Sequence, residues 1–210
     1  MEVEGYREKL SVVEKYILML LYAANGKIKG KLWLQKEIFE LSKSFTELAE
    51  ELDFNAYNYG PFSEALDEYL DMLINSGLIE IDEKTKALRL SDSGTEAAKR
   101  IWDKEEEDKK EMIKEVSAFL ENLEKDELLL YVYATSPPEM SEKSDVKEKI
   151  FRRRVDIALK MLEKGKISLS LAAKIAGLTV EEIIEEAIKR NIKIFDTKDD
   201  IGSLVGQQPQ

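Results

Sequence analysis

The stretch from Leu169 to Ile188 constrains this chain more than any other. Two helical segments meet there at Gly177, where a turn needs a left-handed backbone that glycine adopts at low cost. Ala172 and Ala173 are small where the two helices touch, and Leu178 and Ile183 fill the space between them. Thr179-Val180-Glu181-Glu182 has the spacing of a capping box for the second helix. Together these features make the twenty-residue helix-turn-helix pattern. The spacing of Ile150, Val155, Ala158, Leu159 and Leu162 predicts one preceding helix over about Val146 to Lys164, ended by Gly165.

The N-terminal part reads as a second module of related type. Val12, Val13, Tyr16, Ile17, Leu20, Leu21 and Ala24 recur at helical spacing up to Asn25-Gly26. A basic link, Lys27 to Lys31, leads to a second helix carrying Leu32, Leu34, Ile38, Phe39 and Leu41, and a short third helix covers Thr46 to Leu52. Asp53 to Pro61 is aromatic and turn-rich and reads as a loop. Ser63 caps the next helix, with Leu66, Tyr69, Leu70 and Leu73 inward and Gly77 at its end. Leu78 to Ile81 and Ala87 to Leu90, around a polar tip at residues 82–86, predict a β-hairpin. Helices followed by such a hairpin make a winged helix.

Ser93-Gly94-Thr95-Glu96 has capping-box spacing and opens a long helix to about Leu123, charged from Asp103 to Lys110. Glu105/Lys109 and Glu106/Lys110 stand at i,i+4 and support a solvated helix. Another helix covers Asp126 to Ala134, and Ser136-Pro137-Pro138 breaks it, which puts a hinge between Thr135 and Ser144. The expected fold is mainly α: a winged helix-turn-helix domain with a small β-hairpin (1–100), a charged helical connector and hinge (101–145), a second helix-turn-helix module (146–195) and a flexible tail (196–210).

Composition excludes several classes. The 210 residues include 43% hydrophobic, enough for a core. Without cysteine or histidine there is no disulfide, no thiolate chemistry and no imidazole base or ligand. Abundant Glu and Lys without Cys fits a thermophile. The acidic start, Met1-Glu2-Val3-Glu4, is unlike a signal peptide, and the longest apolar run, Tyr16 to Ala24, is far below the roughly 18 residues of a membrane span. A cytoplasmic protein without membrane contact is expected. The net charge of -11 disfavours non-specific nucleic-acid binding. It is uneven: residues 1–149 carry -13 and residues 150–210 carry +2.

The segment Ala158 to Phe195, through Gly165-Lys166-Ile167-Ser168-Leu169-Ser170-Leu171-Ala172-Ala173-Lys174-Ile175-Ala176-Gly177-Leu178, resembles a family of small prokaryotic helix-turn-helix proteins regarded as antitoxins of PIN-like nuclease toxins. Ile194 to Asp200 is similar to that family's C-terminal extension. Leu34-Gln35-Lys36, Tyr59-Gly60-Pro61-Phe62-Ser63 and Gly77-Leu78-Ile79 resemble Panacea-type winged-helix antitoxin domains and related archaeal regulators. The resemblances imply a protein partner and supply no catalytic residues.

Three sets of residues are candidates for contact with a partner. In the C-terminal module, Arg152, Arg153, Arg154, Lys166 and Lys174 can hold a DNA backbone while Thr179 approaches bases. Against this, the second helix exposes Glu181, Glu182, Glu185 and Glu186, which repel phosphates. In the N-terminal module, Lys27, Lys29, Lys31 and Lys36, with Lys84, Lys86 and Arg89 on the wing, are the cations available to phosphates. The helix from Ser63 to Ser76 bears Glu64, Asp67, Glu68 and Asp71 instead. The ordinary alternative for all of these is solvated surface. The third set is for a protein partner: Glu181, Glu182, Glu185 and Glu186, or Asp196, Asp199 and Asp200, complement the basic groove of an RNA-cleaving toxin. Tyr57, Tyr59 and Phe62 form either a partner or ligand surface or a loop packed on its own core.

Enzyme readings find little. Gly26 to Lys31 is Gly-x-x-x-Gly-Lys, one residue short of a phosphate loop and lacking its Ser/Thr. The carboxylates occur in runs, as on solvated helices. No catalytic, cofactor or metal residue is expected. The leading expectation is an antitoxin-like protein that binds a nuclease-type toxin and also binds DNA to regulate its own operon. A dimeric transcriptional regulator is the alternative, and a scaffold is the third reading.

Overall fold

The computed structural model describes residues 10–192, so the expected tail, with Asp196, Asp199 and Asp200, lies outside the described residues. Among the described residues the fold is mainly helical, at 64% helix, with a small antiparallel sheet. The chain divides into two compact units, Met1–Asn122 with Glu139–Ser144, and Leu123–Pro138 with Asp145–Gln210.

The first unit is built around helix α1 (Val12–Ala23), which buries Val13, Glu14 and every residue from Tyr16 to Leu21. A helix apolar on nearly all sides must be surrounded. Ser11 and Glu14 close its N-terminus by a reciprocal capping box. Asn25 and Gly26, both at positive φ, turn the chain into β1 (Lys27–Ile28). Then come α2 (Lys31–Ser42), α3 (Thr46–Glu51), β2 (Asn55–Tyr57), β3 (Gly60–Phe62), α4 (Glu64–Asn75), β4 (Ile79–Ile81), β5 (Leu88–Leu90), α5 (Asp92–Trp102) and α6 (Glu107–Glu121).

β5 pairs antiparallel with both β4 and β1, through Ile79↔Leu90 to Ile81↔Leu88 on one side and Ile28↔Leu88 on the other. The expected hairpin is present, and β1 completes a sheet of order β1-β5-β4. The tip is held by Asp82, whose carboxylate accepts the Lys84 and Thr85 N–H groups.

Four local readings of the sequence are corrected. The segment Asp53 to Pro61 is not a plain loop: β2 and β3 form a second hairpin, registered Asn55↔Phe62 and Tyr57↔Gly60. The long helix from Ser93 is two helices, because Asp103 to Glu106 offers no apolar side chain to hold a continuous helix against the core. Its cap is Ser91, which accepts the Gly94 N–H, and Glu105 pairs with Lys109 while Lys110 turns to Glu107. The helix over Val146 to Lys164 is likewise broken, into α8 (Lys147–Arg152) and α9 (Arg154–Glu163).

The fourth correction concerns the connector. α6 packs on α1 and α2, with Trp33 Nε1 donating to Leu120 O, so it is part of the first unit. α7 (Lys125–Thr135) packs on α8, α9 and α10 (Leu169–Ala176) and belongs to the second. Glu139–Ser144 goes with the first unit, where Ser144 Oγ donates to Asn58 O. Leu120 and the run Leu128 to Leu130 are buried, and that apolar content draws each helix onto a unit.

In the second unit, α10 and α11 (Val180–Lys189) meet at Gly177, which has φ 66°. Thr179 and Glu182 form the expected capping box, and Ala172, Ala173 and Ile183 are buried.

Candidate functional site

Most of the candidate cations are engaged within the fold. Lys31 Nζ lies 3.6 Å from Asp67 and 3.4 Å from Asp71 on α4. Lys29 stacks its ammonium over the Trp33 ring at 5.2 Å, and its N–H donates to Glu121. Arg89 pairs with Asp82 at 3.3 Å. Lys27, Lys84 and Lys86 are exposed.

The C-terminal cations behave similarly. Arg152 pairs with Glu148 at 3.1 Å and Arg153 with Asp126 at 2.9 Å. Arg154 covers Gly177, so that a Cβ there would meet its guanidinium at about 2.5 Å. Lys166 is a structural residue, inside a buried pair with Glu127 at 2.7 Å. Lys174 is exposed, and Thr179 is exposed while serving as a helix cap.

The carboxylates of α11 divide in two. Glu186 bonds Lys189 and Arg190, and these cations hold its carboxyl below the ordinary range. Glu182 closes the capping box. Glu181 and Glu185 are exposed on the same helix as Ile188, which is 67% exposed.

A second arrangement forms in the first unit, where sequence segments far apart meet. The Gln35 carboxamide accepts the Ser63 N–H at 3.0 Å and donates to Ser63 O at 2.9 Å and to Asp67 at 3.0 Å. The next residue, Lys36, is 1% exposed and donates to Pro61 O at 2.7 Å. Burial, with no charged partner offsetting it, pulls the Lys36 ammonium down to about 7. These bonds fix the β2–β3 hairpin to α2.

The result is an aromatic groove of about 200 Å³ bordered by Lys31, Leu32, Gln35, Lys36, Asp67 and the hairpin. Tyr57 and Phe62 stack with centroids 4.9 Å apart. Tyr57 is 51% and Tyr59 39% exposed, so these rings line a surface and are not packed into the core.

Sequence reasoning placed Lys36 among the surface cations and gave Gln35 and Asp67 no site role. The available signal was positional: Gln35-Lys36-Glu37 lies between Leu34 and Ile38 in a helix buried on nearly all sides. A shallower groove lies beside Asp145, Glu148, Lys149, Arg152 and Arg153, its charges largely compensated by one another. Among the described residues, no group of three acidic side chains converges to hold a metal ion, and no helix is long and apolar enough to cross a membrane. Comparison with family models, curated proteins and solved structures returns no match.

Proposed function

We propose that this is an antitoxin-like protein that binds a basic protein partner, a nuclease-type toxin, through the acidic face of α11. The element order α1-β1-α2-α4-β4-β5 with its β1-β5-β4 sheet supports a winged-helix reading of the first unit, enlarged by α3 and the β2–β3 hairpin between α2 and α4. The α10–α11 pair supports a helix-turn-helix reading of the second.

One observation carries the choice of partner. In both units the helix expected to enter a DNA groove is acidic, and Lys31, Arg152, Arg153 and Lys166 are matched by carboxylates of the same unit. Phosphate contact would require breaking those pairs, whereas Glu181 and Glu185 are exposed and, among the described residues, enter no ion pair within 4 Å, which leaves them to a cationic surface. Exposed Lys27, Lys84, Lys86 and Lys174 favour the second reading, a dimeric DNA-binding regulator.

The test uses the full chain with the nuclease-like product of a neighbouring gene, and separately with the gene's own upstream duplex and a scrambled one across a salt series. The expected result is a complex that suppresses RNA cleavage, is at least tenfold weaker in Glu181→Lys/Glu185→Lys, and has no counterpart with DNA. Selective duplex binding that survives about 0.15 M salt, without any such complex, would replace this proposal with the regulator.

A further inference from the structure

We propose that the groove between α2 and the β2–β3 hairpin binds a small aromatic carboxylic acid, its ring against Tyr57, Tyr59 and Phe62 and its carboxylate on the Lys36 ammonium. An ammonium has three donors and no acceptor. Among the described residues Lys36 gives one hydrogen bond, to Pro61 O, and no carboxylate pairs with it. Asp67, the acidic residue on the groove, is already bonded to Gln35 and set beside Lys31. A buried cation in this state is costly unless an anion completes it.

The other walls choose the rest of the ligand. Tyr57 and Phe62 are stacked, Leu32 is apolar, and Tyr59 and Gly60 line the remaining side. Such walls suit a flat ring. The space of about 200 Å³ limits it to one, since a cavity of about 150 Å³ already holds benzene. A phosphate ester fits less well: no arginine fork borders the groove, and the Gln35 amide is occupied by Ser63.

Binding also involves a proton. With its ammonium drawn down to about 7, Lys36 is largely neutral at pH 8 and must take up a proton to hold a carboxylate. Lys31 and Asp67 are the other ionisable side chains of the α2 and α4 faces of the groove, with Tyr57 and Tyr59 on the hairpin.

Calorimetric titration of the full chain with benzoate and phenylacetate, against neutral benzyl alcohol, tests this at pH 6 and pH 8. Expected is one saturable site for the acids, at least tenfold tighter than for the alcohol, and about five- to tenfold tighter at pH 6 than at pH 8. Lys36→Met should erase the preference for acid over alcohol, and Tyr57→Ala, at an exposed position, should weaken both. Absence of saturable binding by either acid, or an acid preference unchanged in Lys36→Met, overturns the proposal. If Lys36→Met does not fold, an acid affinity indifferent to pH in the unmodified chain overturns it equally.

Discussion

Lys166 Nζ lies 2.7 Å from Glu127 Oε2, with the two side chains only 10% and 8% exposed. The same oxygen accepts the Glu124 N–H at 2.8 Å, which ties the pair to the N-terminus of α7. Removing one member leaves the other charge buried and alone, at about 3 kcal/mol or more, while replacing both with apolar residues is close to neutral. Lys166→Met should therefore destabilise the second unit strongly, and Lys166→Met/Glu127→Leu should recover most of the loss. Urea unfolding followed by far-UV circular dichroism is the check.

The same pair predicts an acid response. Burial opposes ionisation of Glu127, but the Glu124 N–H and Lys166 outweigh it and hold the carboxyl below the ordinary carboxylate range. A depressed folded value means that the contribution is present above 4.5 and is lost as the pH falls through the folded value. The double variant should lose less stability than the unmodified chain over that acid range, compared by thermal melts at stepped pH.

Glu37 has the opposite sign. It is 0% exposed on α2, and among the described residues no N–H donor reaches its carboxylate oxygens. Burial first, then the negative charge of Glu121 and a hydrogen bond between the two carboxyls, push its carboxyl well above the ordinary range, with Lys29 pulling back. A raised folded value means that stability is intact below about 4.5 and declines as the pH rises towards the folded value. Glu37→Met should stabilise the first unit at neutral pH, by about 1–3 kcal/mol for removal of the buried acid, and the gain should shrink in acid. Trp33 and Trp102 both lie in the first unit, so their fluorescence reports on it selectively.

Two glycines should fail differently when given a methyl group. At Gly94 a Cβ would lie 1.9 Å from Leu78 O, a backbone atom that cannot step aside. Gly94→Ala should cost about 3 kcal/mol or more, at the upper end of overpacking. At Gly177 the obstruction is the end of the Arg154 side chain, which can swing away, so the cost is set by the positive φ of 66°. Gly177→Ala should cost about 1–2 kcal/mol, and Gly177→Asn less, because asparagine tolerates that conformation. Equilibrium unfolding of the three variants orders them.

Lys36 connects stability with the groove. A folded value lowered from 10.5 to about 7 means that its contribution is complete above 10.5 and is lost as the pH falls through about 7. Lys36→Met should therefore flatten the stability of the first unit between pH 10 and pH 6. Benzoate, if bound, should protect the unmodified chain most at the acid end. Melts with and without benzoate test both statements.

What the sequence determined is local. Thr179 with Glu182, Ser11 with Glu14 and Gly177 with its left-handed φ act within a few residues, so their spacing alone announces a cap or a turn. The β4–β5 hairpin was legible for the same reason, its strands being joined by one short polar tip. Only the tertiary structure decided which unit claimed α6 and α7, because their apolar faces could bury against either neighbour in sequence. It also decided the roles of lysines that look alike along the chain. Lys27 is exposed on β1, Lys166 is enclosed against Glu127 from 39 residues away, and Lys36 is buried at the wall of the groove with its ammonium on Pro61 O. A long, flexible side chain carries no mark of its own burial in the residues next to it. What surrounds it comes from elements distant in sequence, and that is why the cations read as a surface for phosphates were found mostly bound within the protein.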